Sequence, residues 1–219
     1  MKKAFEYAFF VMLALHLGSH LFGWQLLLAP SKSLLLPLLA CWFYLRSGRP
    51  WRAGERWMAA GLALSWMGDV LLIKGNEPLF FMTGLGFFLL AQLSYAYGFT
   101  KMPGNQPKLL RENPLWALPV LAVAVGMLWW LFPSLGDLKL PVTIYVGAIG
   151  LMVLSALHFG YRQPGGPWLV LGASCFMLSD ALLAVNKFAF PIPQAGFWIM
   201  LTYGSAQYGL VRGFTKPLR

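Results

Sequence analysis

Seven residues of this 219-residue chain are acidic, and five of them, Glu6, Glu55, Glu77, Glu112 and Asp137, fall in loops or at helix ends. The two exceptions are Asp69, in "GLALSWMGDVLLI", and Asp180, in "GASCFMLSDALLA". Each lies well inside an apolar run. A carboxylate within a membrane-spanning helix costs about 2.5–3.5 kcal/mol even on the lenient insertion scale, which makes it a functional candidate by default. Two such groups facing one dry pocket cannot readily both be ionised. One would then hold a proton while the other accepts one, and the chemistry open to the pair is general acid–base catalysis. The plainer alternative is that each is satisfied separately, Asp69 by Ser65 one turn back and Asp180 by Asn186 or Lys187.

The elements that must position the pair are membrane helices. The chain is 58% hydrophobic and 11% charged, whereas a soluble domain carries about 25% charged residues. It has no hydrophilic stretch long enough for a second domain, so residues 1–219 read as one all-α, polytopic membrane bundle. Eight apolar segments are expected to span: roughly 4–24, 31–46, 57–73, 79–99, 114–132, 141–160, 167–187 and 194–213. Helix breakers occupy the connections between them, among them "APSKS", "KGNEP", "PSLGDLKLP" and "FAFPIP". The opening "MKKAFEYAFFVMLALHLG" has the basic start of a signal peptide but no clear cleavage site, so an uncleaved first helix is expected. Cys41 and Cys175 fall in apolar segments and read as small buried residues, not as a disulfide or redox pair.

The basic residues test the span count. Eight spans put thirteen on one side (Lys2, Lys3, Arg46, Arg49, Arg52, Arg56, Lys101, Lys108, Arg111, Arg162, Arg212, Lys216 and Arg219) and four on the other (Lys32, Lys74, Lys139 and Lys187). By the positive-inside rule both termini are cytoplasmic, and a bacterial inner (cytoplasmic) membrane is the expected location. The net charge of +10 therefore reads as loop charge, not as a nucleic-acid surface.

With that orientation the two aspartates share a depth. Asp69 lies twelve residues beyond Trp57 and Asp180 twelve beyond Trp168, roughly 18 Å at 1.5 Å per residue. Small residues Gly61, Gly68, Gly172, Ala173 and Ser179 would let helices approach closely beside them. Gly61 and Gly172 each precede their Asp by eight residues, and Ala91-Gln92 matches Ala206-Gln207 in the following helices. A parallel four-plus-four repeat is one reading of these matches.

Other polar residues near this level are candidate substrate contacts: Lys32, Ser65, Gln92, Tyr95, Tyr145, Asn186, Tyr203 and Gln207. Lys32, at the start of the second span, could snorkel to the interface, pair with an Asp or hold a lipid phosphate. His16 and His20 are spaced i, i+4 on one helix face and with an Asp would make a zinc ligand set, although "HLGSH" lacks the Glu of an HExxH motif. No nucleophile elbow, P-loop or Cys–His pair is present.

The segments "GDVLL" and "FFMTGLGFFLLAQLSYAYGF" in the first half, with "SDALLA" and "YGSAQYGL" in the second, resemble the lysoplasmalogenase (YhhN-like) family of integral membrane hydrolases. One departure is Gln92, where the family often carries His, so only a hydrogen-bonding role remains at that position. The resemblance implies an ether hydrolase that cleaves the vinyl ether of a lysoplasmalogen within the bilayer. The products would be a fatty aldehyde and glycerophosphoethanolamine or glycerophosphocholine, with Asp69 and Asp180 as catalytic pair and no redox or organic cofactor. Two other classes remain: a proton-coupled lipid or small-molecule transporter, and a ceramidase-like, metal-dependent lipid hydrolase built on His16, His20 and an Asp.

Overall fold

A computed structural model describes residues 2–47, 50–102 and 109–215. Arg49, Lys108, Lys216 and Arg219 of the charge pattern lie outside the described residues. Among the described residues there are helices and no strands. They are α1 (Lys2–Phe22), α2 (Gln25–Arg46), α3 (Ala53–Leu72), α4 (Pro78–Thr100), the single turn α5 (Leu109–Glu112), α6 (Leu118–Leu131), α7 (Lys139–Ser155), α8 (Gly166–Phe188) and α9 (Ala195–Thr215). A 3-10 turn, Pro114–Ala117, leads into α6, and a π turn, Ala156–Gly160, ends α7.

Six of these segments are long and apolar enough to cross a membrane: Lys3–Phe22, Gln25–Arg46, Pro78–Thr100, Pro114–Ser134, Gly136–Gly160 and Gly166–Phe188. The protein is an integral membrane protein. The helices α3 and α9 fall below that mark, and they carry Asp69, Ser65, Tyr203 and Gln207. Large apolar side chains point outward, with Leu26 91% and Trp129 80% exposed. Soluble monomers rarely tolerate such a surface, whereas lipid covers it without cost.

The first connection differs from expectation. Instead of breaking at "APSKS", the chain turns at Gly23, whose φ of +72° favours glycine, and α2 then runs from Gln25 straight through Pro30 and Pro37. Pro30 removes one backbone donor, but hydroxyls supply others nearby. Ser31 Oγ donates to the Leu27 carbonyl, and Ser33 Oγ to the Ala29 carbonyl at 2.9 Å. Serines of this kind let proline persist inside membrane helices. Lys32 consequently sits two turns into α2 instead of opening it.

The helix α9 is central, packing on α8, α1, α2 and α3. Two hairpins dominate the bundle, α3 with α4 and α8 with α9, so each aspartate-bearing helix pairs with the following glutamine-bearing one. The main core includes Leu39, Trp42, Met58, Tyr95, Phe176 and Leu210, all at most 1% exposed. Outlying α6 packs chiefly on α7; Val120 near its start joins the main core, and its end joins a separate small cluster around Leu131, Leu135 and Val142. Near the start of α1, Glu6 accepts hydrogen bonds from the Tyr208 hydroxyl at 2.7 Å and Arg212 Nη1 at 3.2 Å, tying α1 to α9. Cys41 is exposed on the outer face of α2, contrary to the buried position expected, and Cys175 is half-buried; both are free thiols. An apolar residue facing lipid looks the same in sequence as one facing the core.

Gly172 lets α8 and α9 touch backbone to backbone. A Cβ there would stand 2.6 Å from the Leu210 nitrogen and 2.8 Å from the Ala206 carbonyl oxygen, neither of which can swing aside. Gly86 of α4 faces open space. Thermal unfolding in detergent should show Gly172→Val destabilised by about 1–3 kcal/mol. Gly86→Ala should gain up to about 1 kcal/mol from helix propensity.

Candidate active site

Burying a carboxylate among apolar helices requires donors, and each aspartate draws them from other helices. Asp69 is 2% exposed. Its Oδ2 accepts from the Tyr203 hydroxyl of α9 at 2.6 Å, and its Oδ1 lies 3.8 Å from Lys32 Nζ of α2. Both oxygens are therefore engaged, one of them by a cation. Asp180 is held differently. Gln92 Nε2 of α4 donates to its Oδ2 at 2.9 Å, and the Tyr145 hydroxyl of α7 donates to the same oxygen at 2.7 Å. No described residue donates to Asp180 Oδ1, and no described cation pairs with this carboxyl. One donor to each aspartate crosses between halves of the chain, α9 serving the aspartate of α3 and α4 the aspartate of α8, while Lys32 and Tyr145 act within their own halves.

The two carboxylates do not hydrogen-bond to each other, yet both line one cavity of about 570 Å³. Lys32, His16, His20, Tyr203, Asn186 and Lys187 also face it. Lys32 thus neither snorkels to the interface nor stands alone. Asn186 and Lys187 do not partner Asp180: the Asn186 side-chain oxygen accepts from the Ile192 backbone N–H at 2.9 Å, and the Lys187 ammonium lies over the Phe81 ring.

Ser65, Tyr95 and Gln207 are fully buried away from the cavity instead of facing it. The Tyr95 hydroxyl donates to Gln207 Oε1 at 2.8 Å, and Ser65 Oγ lies 3.4 Å from it. The Tyr95 ring fills the space that Gly61 leaves, where a Cβ would stand 2.3 Å from it. This layer braces α3, α4 and α9 directly beside the Asp69–Tyr203 contact. Gln92, also fully buried, reaches the site only through Asp180.

The histidines have a defined arrangement. His16 Nδ1 lies within hydrogen-bond distance of Ser31 Oγ, at 2.7 Å, and the same hydroxyl meets the Leu27 carbonyl. The His16 and His20 rings meet edge to face with centroids 4.9 Å apart. Among the described residues no group of three or more His, Cys, Asp or Glu side chains could hold a metal ion. Among the described residues the α1 pair has no third side chain of these types placed to complete a ligand set.

What the sequence reading missed is the crossing of donors. Gln92 and Asp180 are 88 positions apart, and Tyr203 and Asp69 are 134 apart. Only the order of helices around the bundle brings them together.

The family model that matches this chain is that of the YhhN family, over residues 27–214. The chain belongs to the YhhN family. It is 31% identical over 206 residues to a lysoplasmalogenase of Mycobacterium tuberculosis, covering 93% of this chain and 76% of the relative. It is 36% identical over 172 residues to the lysoplasmalogenase TMEM86B of Sus scrofa, covering 78% and 69% of the two chains. It is also 36% identical over 155 residues to the human lysoplasmalogenase TMEM86A, covering 67% and 60%. No solved structure matches it.

The Lys32–Asp69 pair gives a direct test of this packing. Lys32→Met leaves a buried carboxylate without its cation, which costs about 3–5 kcal/mol when a buried pair is broken. Adding Asp69→Asn removes the orphaned charge. Thermal stability in detergent should fall in Lys32→Met and largely return in the double variant.

Proposed function

We propose that this protein is a lysoplasmalogenase-like membrane hydrolase, cleaving the vinyl ether of a lysolipid with Asp180 as general acid and Asp69 as general base. The carrying observation is that two buried carboxyl groups with unlike partners line one cavity. Their relatives' names supply the reaction class.

The roles follow from the partners. Lys32 beside Asp69 favours its ionised form, and Tyr203 fixes the other oxygen. Among the described residues no cation pairs with Asp180. Its two donors both act on Oδ2, so Oδ1 is the oxygen free to carry a proton into the cavity. A vinyl ether is protonated at its β-carbon, giving an oxocarbenium ion at the α-carbon. In the proposed sequence Asp180 gives that proton. Asp69 stabilises the cation, then takes a proton from the water that attacks the α-carbon. The resulting hemiacetal collapses as its hydroxyl proton returns to Asp180 and Asp69 protonates the departing glycerol oxygen. Aldehyde and glycerophospho-alcohol leave, and both carboxyl groups regain their starting states. The division of labour parallels that of glycosidases, by the charge of the transition state and not by fold.

In this reading Lys32, Tyr145, Asn186 and Tyr203 contact substrate or hold the groups that do, and Ser65, Gln92, Tyr95 and Gln207 keep the carboxylates in place. All eight long helices cross the bilayer as one domain, with both termini cytoplasmic in a bacterial inner membrane. The crossed donors and the paired hairpins support a parallel four-plus-four repeat. Membranes carrying the protein should release aldehyde from lysoplasmalogen. Asp69→Asn and Asp180→Asn should each lose about 10²- to 10⁴-fold in turnover. Asp180→Asn, which orphans no paired cation, should unfold like the parent, whereas Asp69→Asn, which orphans Lys32, should unfold more easily. Full activity in either variant would sink the assignment. Turnover should trace a bell against pH, failing on the alkaline side as Asp180 loses its proton and on the acid side as Asp69 gains one.

A further inference from the structure

Asp180 borders a second space. A narrow crevice, about 70 Å³ against 570 Å³ for the cavity, runs between α4, α6, α7 and α8. Its walls are apolar side chains, among them Leu85, Ala124, Met127, Val146 and Ala184. Only Asp180 and Tyr145 bring polar groups to it, and the Tyr145 hydroxyl is committed to Asp180. Phe81, Asp180 and Leu183 line both spaces, so the carboxyl stands where polar cavity and apolar crevice adjoin. Residues of the main core, Tyr145 and Ile149, and of the small cluster, Leu131 and Val142, both line the crevice, and α6 turns Leu121, Val125 and Trp129 outward.

We propose that this crevice holds the hydrocarbon tail of the single-chain lipid substrate, its headgroup occupying the cavity and its enol ether lying at Asp180. The proposal rests on the hydrolase reading above and adds where and how the substrate lies. A vinyl ether is the one bond of such a lipid that is polar on one side and continuous with hydrocarbon on the other. A site for it needs a polar compartment and an apolar one meeting at the proton donor. The polar compartment carries Lys32 and Lys187, which suit a headgroup phosphate. The slot offers a headgroup no polar partner besides Asp180 and Tyr145. Its outer wall, α6, faces the bilayer from which the tail arrives.

A tail gains little by leaving lipid for an apolar protein wall, because lipid chains are as apolar as leucine. The crevice therefore orients the tail more than it attracts it. Orientation holds the β-carbon within reach of Asp180 Oδ1, so filling the crevice should depress turnover of long-tailed substrates.

Two measurements test this. In the first, Ala124→Phe and Ala184→Phe fill the crevice from opposite walls. The ratio of kcat/KM for a long-chain lysoplasmalogen to that for a short-chain alkenyl analogue should drop about tenfold or more in each. An unchanged ratio in both would overturn the proposal. In the second, which needs no catalysis, an uncleavable alkyl-ether lysolipid with a mid-tail diazirine is photolysed on the unmodified protein. Label on crevice residues of α6, α7 and α8, such as Met127, Val146 and Met177, supports the assignment. Label confined to α1, α2 or α9, or none above that on a soluble control protein, overturns it. Parent protein that released no aldehyde would defeat the hydrolase reading, and the labelling pattern would still judge the tail site separately.

Discussion

A carboxylate placed among apolar helices binds the structure around it, because every donor it needs must come from another helix. Asp69 recruits α2 and α9 through Lys32 and Tyr203, and Asp180 recruits α4 and α7 through Gln92 and Tyr145. Together the two groups fix the relative positions of six helices. Close approach at Gly61 and Gly172 is what brings the donors into range, since side chains there would hold α3 from α4 and α8 from α9. The weak hydropathy of α3 and α9 is the same fact seen in composition. These helices sacrifice apolar character to supply the site and recover stability by central packing.

The unlike partners matter more than the number of carboxylates. A cation and a tyrosine on opposite oxygens suit a charge that stays in place. Two neutral donors on one oxygen leave the other to carry a proton. The cavity and the crevice add a second asymmetry, one lined with polar groups and one apolar, meeting at the carboxyl that no described cation pairs with. The acid–base chemistry proposed for an amphiphile's junction bond would draw on both asymmetries together.

The helices and the two aspartates were readable from the sequence because apolar length and the 1.5 Å rise per residue are local properties. Matched spacing from Trp57 and Trp168 placed the two at equal distances along their helices by the same arithmetic. The start of α2 was not readable. Pro30 signals a break in water, but in this bundle the Ser31 and Ser33 hydroxyls compensate nearby carbonyls, and the helix continues. That single extension moves Lys32 from a helix end to the side of Asp69. Which face of α2 carries Cys41 was equally hidden, because with lipid outside and core inside an apolar residue fits both. The crossed pairs Gln92–Asp180 and Tyr203–Asp69 depend on how hairpins order around α9, which no spacing rule encodes. The crevice beside Asp180 lies among residues that each read as ordinary lipid-facing or core positions.

The central claim is that a proton delivered to carbon, followed by water at the α-carbon, breaks the vinyl ether. Isotope tracing of a single turnover reaches it most directly. With lysoplasmalogen in D₂O enriched in ¹⁸O, and the aldehyde trapped as it forms, the account predicts one deuterium on the carbon next to the aldehyde carbon and no ¹⁸O in the glycerophospho product. An aldehyde without that deuterium, or ¹⁸O in the glycerol moiety, would contradict it.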